Sequence, residues 1–124
     1  MSKPLLVARR APDGALIADK IKTADNPWRQ IKGLIGTKSL SVGEGLWFPG
    51  TNSIHMMFMS IPIDVLFLSK PDDAGLRKVL ALRHNLPTWR GVVWWVGGAD
   101  GCVELEAGVL AVAGIAKGDL ISLA

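Results

Sequence analysis

The most hydrophobic stretch of the chain is Ser53 to Leu68, read as Ser-Ile-His-Met-Met-Phe-Met-Ser-Ile-Pro-Ile-Asp-Val-Leu-Phe-Leu, and it still carries one histidine and one aspartate. Its remaining residues suit a pleated, half-buried surface, which predicts two strands joined by a short turn at Ile61 and Pro62. This hairpin is the expected centre of the fold. Before it, Pro4 to Arg9 and Ala15 to Lys22 flank Ala11-Pro12-Asp13-Gly14, where proline pre-sets φ and glycine accepts a positive φ, so a first hairpin is expected there. Asn26 and Pro27 have the chemistry of a helix cap and first position. Trp28, Ile31 and Ile35 then recur at i, i+3 and i+7 with Leu34 beside them, predicting a helix from Pro27 to Ile35.

Gly43 to Pro49 reads as a brief strand bounded by glycine and proline, Lys70 to Gly75 as a turn, and Leu76 to Leu82 as an alternating strand. Arg83 to Gly91 reads as a polar connection. Val92 to Val96 is a continuous apolar run, Cys102 to Glu106 an alternating strand, and Val109 to Ala113 one or two helical turns stopped by Gly114. Lys117-Gly118-Asp119 turns the chain into a last strand, Leu120 to Leu123. Many short strands with one substantial helix predict a mainly β (α+β) domain: a compact antiparallel sandwich or distorted barrel, with the helix near residues 27–35 packed on it.

Composition narrows this picture. At 124 residues, 49 % apolar and 20 % charged, the chain has the size and core of one domain covering residues 1–124. No apolar run reaches the ~18 residues of a spanning helix, and residues 1–10 lack a secretory leader, so a cytoplasmic protein without a membrane span is expected. Cys102 is the sole cysteine, which excludes an internal disulfide and a zinc site built on several thiolates. The net charge of +3 comes from the first forty residues, with eight basic and three acidic side chains against six and eight in the remainder. The basic positions alternate with apolar ones and do not gather beside stacking aromatics, which argues against a nucleic-acid surface.

Gly45-Leu46-Trp47-Phe48-Pro49, Ser53-Ile54-His55, Phe58-Met59, Pro62 to Leu68, Trp89-Arg90 and Glu104-Leu105-x-Ala107-Gly108 occur here in one order. With them the chain resembles the small uncharacterised prokaryotic proteins grouped as domain of unknown function 192. The resemblance runs from about Asp25 to Asp119 and includes Gly33-Leu34 and Gly118-Asp119. It implies a mainly β fold and no agreed activity. Many relatives carry a cysteine where this chain has Gly50 and a proline where it has Glu106, so thiol chemistry at the first of these positions is absent here.

Strand alternation puts His55, Met57 and Met59 on one face, an imidazole and two thioethers that suit Cu(I). The competing reading is a core strand whose methionines fill irregular gaps, and the absence of a second histidine nearby favours it. With a tight turn at Ile61 and Pro62, Asp64 falls on the histidine's face but about 13 Å away at ~3.3 Å per residue, too far for a direct pair. Asp64 is equally suited to accept backbone N–H groups near the turn and stiffen it. Trp89 and Arg90 could stack on and pair with an anionic ligand, or plug the core and face solvent respectively.

No nucleophile elbow, phosphate-binding loop or dinucleotide fingerprint is present, and Cys102 on its strand is by default a small buried hydrophobe. Two functions stay open. One is a cofactor-free, non-enzymatic module that binds a small polar or anionic molecule or a peptide through His55, Asp64, Trp89 and Arg90. The other is an enzyme using His55 and Asp64 as acid and base.

Overall fold

The structure is a computed structural model that describes residues 4–23, 41–50, 53–55, 62–86 and 93–124, with 53–55 and 93–95 described by their backbone. Nine strands and one short helix are assigned among these residues. In chain order they are β1 (Leu6–Ala11), β2 (Leu16–Thr23), β3 (Glu44–Pro49), β4 (Ser53–His55), β5 (Ile63–Leu68) and β6 (Leu76–Leu86). They continue with β7 (Val93–Trp95), β8 (Gly101–Glu106), the helix α1 (Val109–Ala113) and β9 (Leu120–Leu123). Seven strands close into a barrel in the order β1-β2-β3-β8-β5-β6-β9, with β9 returning to β1. All its ladders are antiparallel except β2 with β3, which run parallel from Lys20 opposite Glu44 to Thr23 opposite Trp47. The expected distorted barrel is the observed architecture.

The predicted first hairpin forms as β1 and β2, with Arg9 opposite Leu16. The predicted strands at β3, β6, β8 and β9 and the turns of α1 also form, α1 ending at Gly114 in the left-handed region at φ 69°. Strand β6 runs on through residues that read as a polar connection. It reaches Leu86 by way of an irregularity in its pairing with β5, and Asn85 there adopts a positive φ of 49°. The alternation that marks β6 stops at this bulge, which is why the pattern underestimates the strand.

The expected central hairpin is not formed. Both edges of β5 are taken, Leu66 lying opposite Leu82 of β6 on one side and Val103 of β8 on the other. No edge remains for the segment that precedes it, and β4 pairs instead with β7, His55 opposite Val93. An apolar run announces burial and not partners, and β5, enclosed on both faces, needs a strand on each side. The helix expected at 27–35 lies outside the described residues.

Alternation along β5 explains how the barrel has two cores. Asp64, Leu66 and Leu68 point inward, where Leu66 and Leu68 pack with Ile21, Trp47, Val103 and Ile121. Ile63, Val65 and Phe67 point outward to a second buried cluster with Leu46, Phe48 and Cys102, against which Ala81, Val96 and Ala99 pack. Helix α1 brings Leu110 into the inner core and so covers one end of the barrel. Among the described residues no helix is long and apolar enough to cross a membrane.

Candidate functional site

A cleft of ≈ 870 Å³ lies beside that covered end, between the start of β2 and α1, with the turn before β3 and the segment after β8 completing its walls. Four large aliphatic side chains are exposed among the described residues, and three of them, Leu16 (47 %), Val42 (79 %) and Val112 (91 %), line this cleft. Monomeric proteins rarely gather exposed aliphatic surface in one place without a use for it. The rim carries both signs of charge, with Asp19 and Lys20 on β2 and Glu106 at the end of β8.

The walls are fixed by two polar clamps. Arg10 on β1 donates to the carbonyls of Ala113 and Gly114 at 3.0 Å each, occupying acceptors that the end of α1 leaves free. Its guanidinium also holds the Asp13 carboxylate at 2.8 Å, keeping that carboxyl below its ordinary pKa. The second clamp is Asp64, completely enclosed. Its Oδ1 accepts the N–H of Asn85 at 2.7 Å, and its Oδ2 accepts those of Gly108 and Leu110 at 3.0 Å each. Gly108 has no side chain to cap α1 and sits at φ 96°, so the cap comes from another strand. Asp64 thus joins the bulge of β6 to the start of α1.

Of the four residues expected to form a site, two, His55 and Asp64, lie among the described residues. Asp64 serves the backbone, and of elements beyond its own turn. His55 lies in the short β4–β7 ladder, and Trp89, Arg90, Met57 and Met59 lie outside the described residues. Among the described residues no cluster of three histidine, cysteine or acidic groups is placed to hold a metal ion.

Sequence reasoning overlooked Leu16, Val42 and Val112. A signal for the last was present: Val109-Leu110-Ala111-Val112-Ala113 is apolar throughout, whereas a surface helix with one buried residue should show a polar face. Glu104 was overlooked as well, although it is the one charged residue in the otherwise apolar run Gly101 to Leu105 on a strand enclosed on both faces. It is 6 % exposed, and burial pushes its carboxyl up to about 8.

No protein of curated function matches the chain in sequence. A crystal structure of a Sinorhizobium meliloti 1021 protein described as a candidate transcription regulator superposes with a TM-score of 0.76 at 18 % identity, over 95 % of this chain and 91 % of that one. A protein of unknown function from Novosphingobium aromaticivorans DSM 12444 superposes with a TM-score of 0.72 at 21 % identity, over 94 % and 82 %. At these identities the likeness establishes a shared fold. The sequence profile of DUF192, described as "Uncharacterized ACR", matches residues 8–123, and the chain belongs to that family of unknown function.

Proposed function

We propose that this chain is a non-enzymatic binding module that receives an apolar stretch of peptide in the cleft between β2 and α1. The observation that carries the reading is the convergence of Leu16, Val42 and Val112, exposed and aliphatic, on one concavity. A concave surface calls for a slender occupant. The mixed charges of Asp19, Lys20 and Glu106 suit the amides and termini of a peptide better than a bare acyl chain. Rigid walls also favour binding, because a site already ordered by Asp64 and Arg10 loses little entropy when filled. The alternative, His55 and Asp64 as acid and base, has less support: both oxygens of Asp64 already accept backbone N–H groups.

The test is selection of a phage-displayed random peptide library on the parent protein, with Val112→Glu as the counter-target. Val112 is exposed, so the substitution leaves folding intact while placing a charge in the cleft. Enrichment of aliphatic peptides that bind the parent and not the variant is the expected result. Peptides retained equally by both, or none retained by the parent, would overturn the proposal.

A further inference from the structure

Leu16 to Lys20, the first five residues of β2, line the cleft without a break. A strand that turns a face to a cavity contributes alternate residues, so an unbroken run means that β2 lies with its edge along the cleft. The neighbour on this edge is β3, and it starts late: the ladder begins at Lys20 opposite Glu44. Just before it, the Gly43 carbonyl accepts the N–H groups of Asp19 and Lys20 at 3.2 and 2.8 Å. The chain preceding Gly43 turns, the Glu44 N–H donating to the Ser41 carbonyl at 3.0 Å. Among the described residues no strand stands beside Leu16, Ile17 and Ala18 on that edge.

The hydrogen bonds of the first hairpin settle which main-chain groups face the cleft. The Arg10 N–H donates to the Ala15 carbonyl at 2.9 Å, so that carbonyl points to β1. Hydrogen-bonded and non-hydrogen-bonded pairs alternate along an antiparallel ladder, and Leu16 opposite Arg9 is therefore a pair of the second kind. Its N–H and C=O point away from β1 and into the cleft. Between this pair and Ala18 opposite Ala8 the register slips by one, making Ile17 an extra residue. The slip seats both Ile17 and Ala18 in the inner core and brings the Asp19 N–H back to the cleft side, where Gly43 receives it. Leu16 thus offers the cleft a donor and an acceptor that have no partner among the described residues, with Val42 and Val112 exposed on the surrounding walls.

Resting on the reading of the cleft as a peptide site, we propose that the peptide enters it as an added strand. Its main chain pairs with Leu16 on the edge that β3 takes up from Lys20 onward, and its alternate side chains, aliphatic, lie against Val42 and Val112. An extended peptide is the occupant that complements a strand edge, since it brings its own row of donors and acceptors together with side chains on alternate faces. A helix spends its main chain on itself and would leave the Leu16 groups without partners. A second copy of this chain fits poorly, because its own β2 edge also lines a cleft and the walls of the two clefts hold the edges apart.

Methylation of main-chain nitrogens in a synthetic peptide tests the proposal, because it removes strand hydrogen bonds and leaves every side chain in place. The probe is a blocked peptide of alternating valine and threonine with a lysine at each end, made also with all valines or all threonines N-methylated. The parent should bind the unmethylated peptide with a Kd of about 100 μM or tighter, and Val112→Glu should bind it about tenfold or more weakly. Residues of one alternate set direct their N–H groups to β2 and those of the other set direct them away. One methylated peptide should therefore lose about tenfold or more in affinity while the other stays within about threefold of the parent peptide. Equal effects of the two methylations, or none, would overturn strand addition and leave the peptide reading of the cleft standing. Failure of this peptide to bind a parent that retains library peptides would do the same, and a parent that retains neither would overturn both. A dimeric parent made monomeric by Val112→Glu would assign the edge to a second copy and overturn the proposal as well.

Discussion

Asp64 and Glu104 sit on adjacent strands, point to opposite faces of the sheet and are both enclosed, yet the fold treats them differently. Asp64 accepts three backbone N–H groups, so both of its oxygens are satisfied. The Oε2 of Glu104 has no hydrogen-bond partner among the described residues, and desolvation raises its pKa from an ordinary 4.5 to about 8. The folded protein therefore binds a proton more tightly than the unfolded chain does. Between pH 4.5 and about 8 the native state holds this proton while the unfolded state has released it, so stability falls as pH rises through that window. A shift of this size corresponds to a loss on the order of 5 kcal/mol across it. Urea unfolding followed at pH 5, 7 and 8.5 should show the decline in the parent and a much flatter profile in Glu104→Gln. A parent profile as flat as the variant's would mean that Glu104 is compensated in the folded state.

Among the elements, those specified locally were legible in the sequence, and those specified by distant partners were not. The β1–β2 hairpin was written in Asp13 and Gly14, and the end of α1 in Gly114, because turn chemistry acts over a few residues. The pairing of β4 with β7 depends on contacts about forty residues apart, and nothing in Ser53-Ile54-His55 names Val93 as a partner. The cap of α1 was hidden for the same reason. Its helix shows no capping side chain of its own, and the acceptor is Asp64, forty-four residues before Gly108. The reading of Asp64 as an acceptor of backbone N–H groups was available from its residue type, but the identity of those groups was not. This dependence sets a testable cost: Asp64→Ala strands three donors at once and should lower stability by at least about 3 kcal/mol. Asp64→Asn keeps one accepting oxygen and should lose roughly half as much. Faster amide exchange at Leu110 should accompany both, and a loss under ~1 kcal/mol for the alanine variant would show that α1 is held by its apolar contacts alone.

At the scale of the whole molecule, closure of the barrel makes its inner and outer cores depend on the same three strands. Leu46, Val65 and Cys102 belong to the outer cluster, while Trp47, Leu66 and Val103 on those same strands belong to the inner one. The β4–β7 ribbon lies outside the closed ladder, joined to it through the Gly50 and Asp100 backbone, so in principle the outer layer could open while the barrel stays intact. Cys102 distinguishes the two behaviours, since it is buried in the outer cluster on the middle strand of the three. Its raised pKa keeps the thiol protonated and unreactive until water reaches it. Because β3, β8 and β5 share both cores, the outer cluster should be lost only when the barrel unfolds. Native-state labelling of Cys102 by iodoacetamide, measured against urea concentration below the transition, should therefore accelerate with the slope found for equilibrium unfolding. A labelling rate that hardly changes with urea would show that the outer layer lifts by local motion, leaving the seven-stranded barrel closed beneath it.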